Sequence, residues 1–231
     1  MSLINALKQM ESDVDPVLPM VVMNEAEVDS YVHAVSILQL VDTAASCDQE
    51  THEHMRRVGD ISMEMAAAIG MHDDFLDEIR IAAMLHDIGK IGVPQHLLRK
   101  DGLFTLEERQ EMKRHTSIGG DILAAARRHI PSGDDADCLV MAEKIARYHH
   151  EYYNGAADHG IAGRAIPLVA RIVSIIDVYD ALTSMRRYKR PWTHREAVGF
   201  IKSRSGDQFD PGLVEIFLDL IEKKHHNDDT I

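Results

Sequence analysis

Apolar residues recur at spacings of three and four along nearly the whole chain, and this pattern constrains the fold more than any other feature. It runs through residues 26–46, 48–69, 74–88, 105–114, 116–129, 135–152, 168–185, 194–204 and 211–224, and each segment reads as an amphipathic or buried α-helix. Stretches with the two-residue alternation of strands are few and short. Breakers fall between the helices: Gly70 closes the second, Gly89 and Pro94 follow the third, Pro131-Ser132-Gly133 divides the fifth from the sixth, and Pro211 opens the last. The expected architecture is an all-α bundle. With 231 residues, 45% of them hydrophobic, the chain has enough apolar surface for one buried core. Residues 1–47 read as an N-terminal arm and helix, 48–224 as the main domain, and 225–231 as a polar tail that frays. The arm carries Pro16, Pro19 and the acidic residues Glu11, Asp13 and Asp15. Val28, Val32, Val35 and Leu38 then predict an amphipathic helix that packs on the main domain or makes a homodimer with a second copy of the chain.

Lys and Arg number 25 against 38 Asp and Glu, for a formal net charge of −13. So acidic a chain is not expected to bind duplex nucleic acid or an anionic membrane, and an anionic substrate needs a local source of positive charge. Cys47 and Cys138 are the only cysteines, too few for a disulfide framework or a thiolate metal site, and they suit a reducing compartment. The apolar stretch 166–176 is interrupted by Arg171 and falls short of the roughly 20 residues of a membrane span. The first residues hold one Lys and no long apolar run, so no secretory signal is read there. The expected location is the cytoplasm.

Fourteen histidines stand beside five phenylalanines and one tryptophan, and their positions say more than their number. Glu50 and His54 lie four apart on one predicted helix face and can reach a single ion. His86-Asp87 closes the apolar run Ile81-Ala82-Ala83-Met84-Leu85. A carboxylate in such a setting is costly to bury without a compensating partner, and a cation is the simplest one. His149-His150-Glu151 ends another apolar helix, while Asp177 and Asp180 are set among Ile175, Ile176 and Val178. Imidazole and carboxylate without thiolate suit iron, manganese or zinc and do not choose among them.

The run His86-Asp87-Ile88-Gly89-Lys90-Ile91-Gly92-Val93-Pro94 resembles the signature of the HD-GYP subfamily of HD-domain metal-dependent phosphohydrolases. Glu50 and His54 upstream, then His115, His149-His150-Glu151, residues 166–173, Asp177-Val178-Tyr179-Asp180-Ala181-Leu182-Thr183-Ser184, Tyr188-Lys189 and Phe209-Asp210-Pro211 follow in that family's order, over residues 48–221. The resemblance implies an HD-domain helical bundle, here with a short N-terminal helical extension. It also implies two or three divalent metal ions, iron or manganese, and hydrolysis of cyclic di-GMP to linear pGpG, with GMP as a further product. The implied metal ligands are His54, His86, Asp87, His115, His149, His150 and Asp177, with Glu50 as the additional carboxylate of three-metal members. Lys90 matches a lysine beside the substrate phosphate, and Arg186 and Lys189 match basic residues that meet the substrate. Asp87 and Lys90 are then the catalytic pair. A carboxylate has two oxygens and can bridge two ions where each imidazole holds one, and Lys90 compensates phosphate charge as activated water attacks. Ions and the basic run 186–190 together explain how an acidic chain attracts a dinucleotide anion.

The resemblance breaks after Glu151. The Gly-Tyr-Pro triplet that names the subfamily is absent between Tyr152 and Pro167, where Gly155, Gly163 and Pro167 remain. Because that loop is linked in the family to substrate contact and partner recognition, two further functions stand beside the enzyme. One is a cyclic-dinucleotide sensor or diguanylate-cyclase partner with little catalysis; the other is a hydrolase of another cyclic dinucleotide. Complete retention of the ligand residues favours the enzyme. Asp180 reads as a group that orients a ligand rather than one that binds metal. His33, His72, His96, His129, His194, His225 and His226 read as solvent-facing or capping, and Met63, Met65, Met84 and Met141 as core filling.

Overall fold

The computed structural model describes residues 52–130, 134–157, 160–185 and 190–228. The helix expected over 26–46, Glu50, Arg186 and Lys189 lie outside the described residues. In order, the helices are α1 (His52–Ile69), α2 (Asp73–Met84), α3 (Gln95–Leu98), α4 (Leu106–Lys113), α5 (His115–Arg127), α6 (Asp134–Tyr148), α7 (Leu168–Thr183), α8 (His194–Ser203) and α9 (Pro211–Asp228). Two 3₁₀ turns, Ile88–Gly92 and Gly163–Ala165, join them. Among the described residues there is no strand, only an isolated bridge between Ser205 and Phe209, and the fold is all-helical. No described helix is long and apolar enough to cross a membrane.

Local chemistry sets the helix ends. Gly70 takes a positive φ of 87° where α1 stops, a conformation that costs glycine little. The ring of His72 accepts from the Phe75 amide and caps α2. Thr105 with Glu108, and Thr193 with Glu196, form reciprocal capping boxes at α4 and α8. The core gathers around α7, which buries Val169, Ala170, Ile172, Val173, Ile175, Ile176 and Tyr179, so its apolar residues face neighbours on every side. α1, α6, α8 and α9 pack on it, α2 packs on α1 and α6, and α5 packs on α6 and on the first 3₁₀ turn. Phe209 and Phe217 are fully buried beside it, each worth about 1.5–3 kcal/mol relative to exposure.

Three boundaries differ from the periodic pattern. The helix expected over 74–88 ends at Met84, because the Leu85 and His86 amides bond three residues back, to Ala82 and Ala83, and the next turn is 3₁₀. The helix expected to reach 152 ends at Tyr148, leaving His149 and His150 in the turn beyond it. α9 runs on to Asp228, and His225 contacts the Tyr179 hydroxyl, so part of the segment read as a polar tail is helical. The short α3 has too few residues to display a period.

Candidate metal centre

Five stretches of chain deliver the candidate ligands. His54 lies in the first turns of α1, His86 and Asp87 between α2 and the 3₁₀ turn, His115 at the start of α5, His149 and His150 just past α6, and Asp177 midway along α7. Consecutive residues of an α-helix point about 100° apart, so His86 and Asp87 could not face one site from within α2. The break after Met84 lets them: His86 Nε2 lies 3.2 Å from Asp87 Oδ2. The 3₁₀ turn then sits against α5 because Gly89 has no side chain. A Cβ there would lie 1.9 Å from the His115 carbonyl oxygen and 2.4 Å from the Gly119 nitrogen.

The residues form two adjoining donor groups. His54, His86 and Asp177 offer atoms all within 4.8 Å of one another, and so do Asp87, His115, His149 and His150. Asp177 Oδ1 stands 3.7 Å from both His54 Nε2 and His86 Nε2. Asp87 divides its carboxylate between the groups. Its Oδ2 faces His86 and, at 2.8 Å, the Lys90 ammonium, while its Oδ1 faces His115 Nε2 at 3.1 Å and His149 Nε2 at 3.7 Å.

The imidazoles are aimed by their other nitrogen. Nδ1 of His86 donates to the Ala83 carbonyl at 2.8 Å, that of His115 to Met112 at 2.7 Å, and that of His149 to Ile145 at 3.0 Å. A carbonyl only accepts, so Nδ1 carries the proton and a neutral ring turns its Nε2 lone pair inward, the orientation a metal ligand requires. His54 Nδ1 lies 2.7 Å from Asp180 Oδ2, and Asp180 occupies the orienting position expected of it. Asp87 Oδ1, His115 Nε2 and His149 Nε2 are buried and make no hydrogen bond. Leaving such atoms without a compensating interaction is costly, and a divalent cation between them removes the cost. The donor set fits metal ions on the chemistry of its atoms, and Asp87 Oδ1, His115 Nε2 and His149 Nε2 fit them also as buried atoms without a hydrogen bond.

Electrostatics agree with that fit at Asp87, His149 and His150. Burial alone would raise the Asp87 carboxyl, but Lys90, His86 and His115 outweigh it and hold the group well below the usual carboxylate range. Burial and the neighbouring His150 push His149 well below its ordinary value. His150 keeps an open edge to solvent, yet the protein packed around it, followed by His115, lowers it to about 3. Burial opposes the charge on His115, but the closeness of Asp87 prevails and raises it. Neutral imidazoles and an ionised carboxylate are the states that bind metal, so Asp87, His149 and His150 are set for it, while an ion at His115 would displace the proton that Asp87 favours there.

Sequence reasoning missed Arg57. Its Nε donates to Asp180 Oδ1 at 2.6 Å and its Nη2 to Asp180 Oδ2 at 2.9 Å, while Nη2 also reaches Ser184 Oγ at 2.8 Å. The available signal was a cation one turn beyond His54 on the same helix face. The loop lacking the family triplet is tied to the turn before α9: the Tyr153 and Asn154 amides donate to the Gln208 and Asp207 carbonyls, and the Gly163 amide to Tyr153. Asp158 and His159 of that loop lie outside the described residues. Arg171 pairs with Asp210 and donates to the Ile166 carbonyl, pinning the start of α7. His194, read as solvent-facing or capping, instead meets the Tyr179 hydroxyl at 2.9 Å.

This combination defines the protein's class: an all-helical bundle whose buried His/Asp groups suit a pair of divalent cations. The chain belongs to the HD-domain family, whose pattern matches residues 39–213. It is related to HD-GYP proteins named as cyclic di-GMP phosphodiesterases. One from Thermotoga maritima is 42% identical over 174 residues, covering 75% of this chain and 45% of that protein; one from Vibrio cholerae is 39% identical over 198 residues, covering 82% and 40%. A Vibrio cholerae protein named 3'3'-cGAMP-specific phosphodiesterase 2 is 32% identical over 184 residues, covering 79% of this chain and 34% of its own length. The chain thus spans less than half the length of these relatives. In fold it is similar to the L. monocytogenes phosphodiesterase PgpH HD domain, solved in complex with cyclic-di-AMP, with a TM-score of 0.57 at 21% identity, covering 82% of this chain and 96% of that one.

Proposed function

We propose that this chain is a metal-dependent cyclic-dinucleotide phosphodiesterase that hydrolyses cyclic di-GMP to linear pGpG. The observation that carries the reading is Asp87, whose two oxygens face two separate donor groups. A carboxylate placed so can be shared by two cations, the arrangement paired-metal phosphodiester hydrolysis uses. His54, His86 and Asp177 would hold one ion and His115, His149 and His150 the other, with Asp87 between them. Glu50 would supply a third position, and iron or manganese is the metal proposed. When bound, such a pair supplies Lewis acidity that lowers the pKa of water and neutralises charge on the phosphate and the leaving alkoxide. The histidines fix the donor geometry through their Nδ1 bonds, so little reorganisation is needed during attack. Lys90 holds an ammonium at the edge of the site, where it offsets charge on the phosphate oxygens. Arg186 and Lys189, in the segment after α7, would draw the anionic dinucleotide toward an otherwise acidic protein.

The names of the relatives support a cyclic dinucleotide as the substrate class, and the ones named for cyclic di-GMP include those of 42% and 39% identity. The absence of the Gly-Tyr-Pro triplet favours a second reading, in which the domain binds a cyclic dinucleotide or a diguanylate cyclase with little turnover. An anaerobic assay with cyclic di-GMP and, separately, 3'3'-cGAMP, with metal content measured on the same sample, tests both. The expected result is about two or more ions per chain and pGpG release. Full metal loading with tight binding and no product from either nucleotide would replace the enzyme by the sensor.

A further inference from the structure

Among the histidines of the two donor groups, His86, His115 and His149 are aimed by a carbonyl three or four residues back, a partner no side-chain replacement removes. His54 differs. It is aimed by Asp180, 126 positions away on another helix. Asp180 is 3% exposed and would be raised by burial, but it is held well below the usual carboxylate range by Arg57 and His54. Arg57 grips both of its oxygens from α1. Ser184 Oγ donates to Asp180 Oδ2 at 3.1 Å and accepts from Arg57 Nη2 at 2.8 Å. Ser184 also caps the end of α7, its amide bonding the Asp180 carbonyl at 2.8 Å. It stands directly before the segment that holds Arg186 and Lys189.

From this asymmetry we infer that Arg57 and Ser184 are positioning residues that set the affinity of one metal position alone, the one formed by His54, His86 and Asp177, and that this position is the adjustable one of the pair. The inference rests on the binuclear reading above. A planar guanidinium gripping two oxygens fixes the carboxylate plane, which fixes the His54 ring, which aims Nε2 toward Asp177. The group around Asp87, His115 and His149 has no member in this network, so its affinity does not depend on it.

The test is manganous-ion titration of the apo chain, read by equilibrium dialysis and electron paramagnetic resonance, on wild type, Arg57→Lys and Ser184→Ala. Lysine keeps the charge and loses the two-pronged grip. Wild type is expected to load at least two ions with the spectrum of a coupled pair. In Arg57→Lys one class of site should weaken by about tenfold to a hundredfold, the usual cost of losing an outer-shell partner, while the other stays within about twofold and an uncoupled signal replaces the pair at intermediate loading. Ser184→Ala should weaken the same class by a smaller factor. Apo melting temperatures matching wild type within about 2 °C would confirm that folding is not the cause. Equal weakening of both classes, or no weakening, overturns the inference while leaving the binuclear reading intact. Failure of wild type to load a second ion overturns the binuclear reading itself.

Discussion

Asp87 and Lys90 sit 2.8 Å apart but are expected to fail differently when replaced. Asp87→Asn keeps the shape and removes the charge and one strong donor, so both ions lose a ligand; metal content and hydrolysis should fall together, hydrolysis by at least about a hundredfold given that both Lewis acids are disturbed. Lys90→Met removes only charge compensation. With ions present Asp87 keeps its counter-charge, so metal content should stay at the wild-type level while kcat drops by about a hundredfold to a thousandfold, as when a single transition-state donor is deleted. Elemental analysis beside pGpG quantification separates the two. A Lys90 variant that loses its metal would assign the lysine to supporting Asp87 rather than to the phosphate.

At the level of elements, the close approach of the 3₁₀ turn to α5 brings Asp87 against His115, and it depends on Gly89 facing His115 and Gly119 backbone. Gly89→Ala places a methyl against main chain rather than against a movable side chain, so it should destabilise the fold by about 1–3 kcal/mol or more and weaken metal binding along with it. Gly199 is the contrast: exposed within α8, with nothing within 4 Å of an added Cβ. Gly199→Ala should stabilise by about 0.5–1 kcal/mol through helix propensity, and urea denaturation of the two variants should move in opposite directions. Most helices are legible in the chain because their apolar residues repeat at three and four; His86, Asp87, His149, His150 and Asp177 are legible because charged or imidazole groups interrupt or end such runs, His54 through its four-residue spacing from Glu50, and His115 only through the resemblance to the HD-GYP motif order. The break after Met84 is not, since an apolar period continues unchanged through a 3₁₀ turn over so few residues. Nor is the grip of Arg57 on Asp180, which follows from the packing of α1 on α7 across 123 positions of sequence.

Across the whole molecule, the donor groups tie α1, the turn after α2, the start of α5, the end of α6 and the middle of α7 to one point. Ions held there would crosslink elements that are remote in sequence, and their binding free energy would become folding free energy because the unfolded chain offers no preformed site. They would also offset a net charge of −13 at the place where Asp87 and Asp177 approach a shared set of imidazoles. Free metal at a hundred times its dissociation constant adds about 2.7 kcal/mol per site. Removing the metal with a chelator should therefore lower the melting temperature by several degrees, since about 1 kcal/mol shifts a domain of 150–250 residues by roughly 2–4 °C, and adding manganous ion should restore it. The same treatment of Asp87→Asn should move its melting temperature far less, as that variant has little bound metal to lose. If chelation leaves the wild-type melting temperature unchanged while metal analysis shows the ions gone, the site does not fasten the bundle, and α1, α5, α6 and α7 are held together by the apolar core around α7 alone.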